Sequence, residues 1–211
     1  QSLSREPVHL ALLLGGVTAE NWALRERPFD FYDIKGYLQR IGDFFRRELL
    51  LDALDSPAFQ SGQGAIVKLR KTGLGQLGKT APPVTRDFDL PENTYVLEID
   101  LEPLLAAPMP PAQFEDIPLY PASLRDLAVI MDRDLPAEQV LKSVKSAGGS
   151  LLKKVNIFDV YRGKPLPPDK KSIAVSLVFQ SSERTLTDTD TQKALDRIIA
   201  VLTRECGVEL R

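Results

Sequence analysis

This 211-residue chain has one cysteine, Cys206, and one histidine, His9. The first excludes an intrachain disulfide, and the second leaves no cluster with the ligand spacing of a zinc site. No stretch approaches the ~18 apolar residues of a membrane-spanning helix, and ALLL at residues 11–14 is only strand-sized. Residues 1–7 are polar and no small-residue cleavage site follows an apolar stretch of the right length, so no signal peptide is expected. The missing initiator methionine points to a fragment or a processed chain, and the scarcity of cysteine fits a reducing cytoplasm. Charge of one sign is lacking as well. With 27 Lys and Arg against 29 Asp and Glu, any attraction to nucleic acid must come from a local patch.

What remains is the composition of an ordinary globular protein, 43% hydrophobic and 27% charged, long enough for one large domain or two of about 100 residues. Six prolines between Leu101 and Pro121 make a density that helices and central strands do not accept, which predicts a linker beginning near residue 101 and domains at 1–111 and 112–211. Residues 1–111 carry 12 basic and 15 acidic groups and residues 112–211 carry 15 and 14, so the second half is the more basic. Lys142, Lys145, Lys153, Lys154, Arg162, Lys164, Lys170 and Lys171 crowd into 30 residues with only Asp159 and Asp169 opposing them. The plain reading of that excess is a solvated face; the functional one is a track for a phosphate backbone.

The second half reads as βαββαβ, the ferredoxin-like unit. Leu124 to Met131 alternates with Leu127, Val129 and Met131 on one side. A helix follows from about Pro136 to Gly148-Gly149, then strands near 153–162 and 172–180. A last helix starts at Thr187 or Asp188 and stops at Gly207, and GVELR supplies a final short strand. Two helices on one side of such a sheet leave the other side open. Parity that buries Ile173, Val175, Leu177 and Phe179 puts Ser172, Ala174 and Ser176 there; burying Phe158 and Val160 adds Asp159 and Tyr161, and Ala128 joins from the first strand. Small residues, one aromatic, one carboxylate and a hydroxyl beside a basic excess are the ingredients of single-stranded RNA recognition.

The first half reads as an α+β layer: HLALLL as a strand, a helix over DIKGYLQRIGDFFRRELLLDAL capped by Asp33, and strands at GAIVKL, LGQLG and TYVLEIDL. GLGQLGKT at residues 73–80 fits both the P-loop and the dinucleotide patterns. A phosphate loop must lead into a helix whose N-terminus faces the anion. Here Pro82 and Pro83 follow, no helix is expected, and the stretch is read as a glycine-rich hairpin. No paired carboxylates with an acid/base partner occur, so no catalytic and no metal-binding residue is assigned; His9 and Cys206 are read as packing or surface residues.

PASLRDLAVIMD (121–132), IFDVYRGKPLPPDKKSIAVSLVFQSSERTLTD (157–188) and GVELR together resemble the ferredoxin-fold anticodon-binding domain that ends phenylalanyl-tRNA synthetases. FDFYDIKGYLQRIGDFF and TGLGQLGK with NTYVLEIDLEPL resemble the module preceding that domain in the bacterial β subunit, although Lys79-Thr80 stands where that family has His-Pro. The resemblance implies a class II synthetase-like antiparallel module without catalysis, followed by an anticodon reader. It also implies tRNA(Phe) and a catalytic α subunit as partners in an α2β2 assembly, with ATP and Mg bound by the α subunit and no cofactor in this chain. By position, Ala128, Asp159, Tyr161 and Ser172 would read anticodon bases. Lys153, Lys154, Arg162, Lys164, Lys170 and Lys171 would hold phosphates, Arg125 and Asp126 would form a structural pair, and Arg184 and Thr185 would order the turn into the last helix. The competing readings are a stand-alone ferredoxin-like module that binds protein through Tyr161, and a nucleotide-binding enzyme built on GLGQLGKT.

Overall fold

A computed structural model describes residues 6–112, 114 and 117–211, so part of the proline-rich stretch and residues 1–5 lie outside the described residues. The chain divides into two compact units, residues 1–113 and 114–211.

In the first unit, β1 (His9–Leu14), β2 (Leu49–Leu54), β3 (Phe59–Leu69), β4 (Thr72–Thr80) and β5 (Tyr95–Asp100) form an antiparallel sheet in the order β1-β5-β4-β3-β2. Helix α1 (Phe31–Phe44) lays Ile34 and Leu38 on the face carrying Ala65, Val67, Leu77, Leu97 and Ile99. The helix expected over residues 33–54 is therefore too long. After Phe45 the backbone turns through a positive φ at Arg46, Arg47 N–H returns to Gly42 O at 2.8 Å, and the leucine run enters β2 against β3. LLLDAL has no polar face to keep a helix amphipathic, and pairing with β3 takes it. The cap also sits three residues earlier than expected. Asp30 accepts the Tyr32 N–H at 2.8 Å and the Asp33 N–H at 3.2 Å, while Asp33 accepts the Asp30 N–H at 2.8 Å, a reciprocal capping box. Arg27 adds two bonds to Asp33 at 2.7 and 2.6 Å, and chiefly these hold the Asp33 carboxyl below its usual range.

GLGQLGKT lies wholly inside β4, extended, with its amides turned sideways toward β3 and β5 rather than converging on one point. Gly75 is there for close approach: a Cβ on it would lie 2.0 Å from the Glu98 carbonyl oxygen of β5. The expectation that no helix follows is corrected, because α2 (Pro82–Asp87) begins two residues later with proline in its first turn and Ala81 extended at ψ 148. Proline lacks only a donor that the first turn cannot use. The phosphate-loop reading falls on the extended strand instead. The linker expectation is corrected likewise: α3 (Glu102–Ala106) has Pro103 in its first turn and Leu104 in the first core. Arg46 and Arg47 donate to the carbonyls of Pro110 and Pro108, tying residues to 110 into this unit.

The second unit has β6 (Ser123–Asp132), α4 (Ala137–Gly148), a 3-10 turn (Gly149–Leu151), β7 (Leu152–Tyr161), β8 (Lys170–Phe179), α5 (Asp188–Cys206) and β9 (Glu209–Leu210). Its antiparallel sheet runs β7-β8-β6-β9, the ferredoxin-like order. Leu127, Val129, Met131, Ile173, Val175, Leu177 and Phe179 meet Val140, Val144, Ala194, Ile198 and Leu202 from the two helices. Each of these side chains except Ala194 contributes about 1.5–3 kcal/mol by leaving water.

Helix α5 begins on a second capping box. Thr187 Oγ accepts the Asp190 N–H at 3.2 Å, and Asp190 accepts the Thr187 N–H at 3.0 Å and Arg184 at 2.6 and 3.1 Å. Arg184 thus orders this turn as expected. Its hydrogen bond, then those from Thr187, holds the Asp190 carboxyl far below the carboxylate range. The folded state therefore favours the ionised form, and the stability this adds is present above about pH 4 and lost as pH falls further. Asp190→Asn is expected to lower the urea midpoint at neutral pH and to flatten the decline below about pH 4. An unchanged acid profile would show that the box contributes nothing. Gly207 ends α5 in the left-handed region at φ 60.

Candidate nucleic-acid interface

The register of the second sheet sorts its open face into rows. Ala128 of β6 pairs with Ala174 of β8, which pairs with Asp159 of β7; Ile130 pairs with Ser172, which pairs with Tyr161. Below them run Asp126-Ser176-Asn156 and Leu124-Val178-Lys154. Ala128, Asp159, Tyr161 and Ser172 thus occupy two adjacent rows of one surface. Alanines at the centre leave a low floor, with the carboxylate and the phenol standing at the β7 edge.

Asp159 and Tyr161 reach that surface by a route the sequence reading had wrong. Val155 and Ile157 pack on the core, so strict alternation would send Asp159 and Tyr161 inward as well. A register shift between Ile157 and Asp159 leaves Phe158 unpaired, and the strand resumes with Asp159 opposite Ala174. Phe158, expected to be buried, is 58% exposed on this bulge, and Val160 is exposed too. The extra residue re-aims the two side chains.

Tyr161 is fixed rather than free: its hydroxyl donates to the Lys164 carbonyl oxygen. Arg211, which sequence reasoning missed, places its guanidinium carbon 5.2 Å from the Tyr161 ring centroid and donates its backbone N–H to Ala128 O at 3.1 Å. Nothing in the spacing of the sequence marks it; only the pairing of β9 with β6 brings it to this face. Ser172 is on the open side as expected, yet it is 2% exposed, flanked by Ile130 and Tyr161.

The basic residues divide. Lys153 and Lys154 are exposed at the start of β7, beside a cleft of about 380 Å³ that Lys145 also lines, and Arg162 and Lys164 are exposed just past its end. They bracket Asp159 and Tyr161 along one edge strand. Lys170 is engaged with Asp132 at 2.7 Å, and that bond raises its pKa. Lys171 does not fit the phosphate contact expected of it. Its parity is that of Ile173, so it points to the helix side, is 7% exposed and donates to Arg133 O and Leu135 O at 2.7 Å each. Burial, then repulsion from Arg162, lowers its pKa. Arg125 pairs with Asp188 at 2.8 Å; its expected partner Asp126 lies on the opposite face.

Among the described residues there is no group of His, Cys, Asp or Glu able to hold a metal, and no helix is long and apolar enough to cross a membrane.

The two units match two domain families. Residues 1–101 match the phenylalanyl tRNA synthetase beta chain CLM domain, and residues 118–211 match the ferredoxin-fold anticodon binding domain. Among similar proteins, the phenylalanine–tRNA ligase beta subunit of Syntrophotalea carbinolica is 36% identical over 95% of this chain and 25% of its own length. That of Moorella thermoacetica is 36% identical over 98% of this chain and 26% of its own, and that of Shouchella clausii 36% over 99% and 26%. The chain belongs to the phenylalanine–tRNA ligase β-subunit family, and it spans about a quarter of the length of the relatives it matches.

Proposed function

We propose that the second unit reads the anticodon of tRNA(Phe) and that the first is a noncatalytic scaffold within a phenylalanine–tRNA ligase. The observation that carries this reading is the pair of rows in which Asp159 and Tyr161 stand over the Ala128-Ala174 floor. Tyr161 stacks on a base, Asp159 bonds a base edge, and the low floor admits the base to backbone groups near Ala128. Ser172 contributes its hydroxyl once the face opens around it. Lys153, Lys154, Arg162 and Lys164 hold phosphates and supply the salt-dependent part of the affinity; Lys170 joins them only by releasing Asp132. In the assembled cytoplasmic enzyme, read as α2β2, the α subunit binds ATP and Mg and charges the tRNA, and this chain supplies recognition and support.

NMR titration of the 211-residue chain with the tRNA(Phe) anticodon stem-loop tests the assignment. The native loop is expected to shift Ala128, Asp159, Tyr161 and Ser172, and a loop with replaced anticodon bases to shift only the lysines and Arg162. Equal shifts from both loops would remove base reading from this face.

A further inference from the structure

We infer that Arg211 occupies the stacking place on Tyr161 in the free protein and that a base must displace it. The inference rests on the reading of the open face as a base-binding surface. Strand β9, which leads into Arg211, and strand β7, which carries Tyr161, lie at opposite edges of the sheet. Three strand spacings separate them, roughly 14 Å. A contact between the two side chains therefore bridges the face above β6 and β8, where the Ala128-Ala174 floor leaves room for it.

The bridge and a stacked base exclude each other. A base on Tyr161 lies in carbon contact with the ring, and a base held between ring and guanidinium needs about 7 Å, twice the ~3.5 Å of one contact. The guanidinium carbon stands at 5.2 Å from the centroid. Tyr161 cannot yield the space, because its hydroxyl is tied to Lys164 O and the turn at Gly163 backs it, a Cβ there meeting the hydroxyl at 3.6 Å. Arg211 is held by its backbone N–H and the cation–π contact, so its side chain is the part that moves. Base–aromatic stacking is the stronger contact, which lets a base win the exchange.

The test compares wild type with Arg211→Ala and Arg211→Lys in the full 211-residue chain. The probes are labelled tRNA(Phe) anticodon stem-loops, one native and one abasic at the anticodon, read by fluorescence anisotropy. Arg211→Ala is expected to tighten native-loop binding about two- to fivefold, the cation–π contact no longer being broken, and to leave the abasic loop unchanged. Arg211→Lys falls between. In the free wild type the Arg211 side-chain NH resonance is expected to carry a ring-current shift that the native loop abolishes and the abasic loop does not.

Weaker binding of both loops by Arg211→Ala would make the residue a phosphate contact; weaker binding of the native loop alone would make it a lasting base contact. No change would make it a bystander, and each of these overturns displacement. If Tyr161→Ala erases the difference between the loops while Arg211→Ala does nothing, only the displacement fails. If wild type binds both loops alike, the base-reading surface fails with it.

Discussion

Tyr161→Ala is expected to weaken binding of the tRNA(Phe) anticodon stem-loop by about 1–3 kcal/mol, on the order of 5- to 150-fold, the loss of one base–aromatic stack. The fold has little stake in the ring: Tyr161 is 36% exposed and sits past the last core-facing residue of its strand. The unfolding midpoint should therefore stay near that of wild type, separating a binding loss from a folding loss. Tyr161→Phe gives up only the bond to Lys164 O and should keep most of the discrimination. Binding measured against native and base-replaced loops decides the matter. If Tyr161→Ala lowers both equally, the ring is not reading bases. Lys153→Ala and Lys154→Ala are the contrast, since a phosphate contact lowers affinity for both loops and reduces the salt slope by about 0.7 for each single-strand phosphate released.

Gly75→Ala is expected to destabilise the first unit by about 1–3 kcal/mol or more, a cost of forcing a side chain into occupied space. The added carbon would meet Glu98 O at 2.0 Å, Ile99 Cα at 2.7 Å and Glu98 C at 2.9 Å, all backbone, so the β4 and β5 strands must part at the centre of the sheet. Faster amide exchange at Leu77 and Leu97, with a lower urea midpoint, is the expected signature. A Gly75→Ala chain as stable as wild type would show that the strands move apart at no cost. The same geometry answers the question that GLGQLGKT raises: Gly75 and Gly78 admit neighbouring strands rather than phosphate. Calorimetric titration with ATP is accordingly expected to show no binding by this chain.

The element order of the second unit was legible, because each helix carries an unambiguous period and a chemical stop: Pro136 before α4, Thr187 before α5, Gly207 after it. The first unit was less so where an apolar run serves either period. Leu49 continues the stripe of α1 at helical spacing and also begins β2, and only pairing with β3 decides. Asp30 and Asp33 both qualify as caps; the reciprocal bonds assign Asp30 the cap and Asp33 the third position. At the site, Lys171 was legible and misread, for the alternation that buries Ile173 also buries it. Phe158 and Arg211 were not legible. A bulge has no composition of its own, and the approach of Arg211 depends on which strand β9 joins.

The bulge at Phe158 makes β7 behave like a message with a reading frame. Just upstream of it the odd-numbered Val155 and Ile157 face the helices; downstream the odd-numbered Asp159 and Tyr161 face outward. One extra residue thus assigns the same strand two jobs, closing the core at Val155 and Ile157 and displaying Asp159 and Tyr161. Drawing Phe158 into the regular pleat would turn the carboxylate and the phenol into the core and Val160 out, whereas deleting it would leave Asp159 next to Ile157 and still facing outward. The chemistry of this face is therefore written less in which residues β7 contains than in which of them is left out of the pairing.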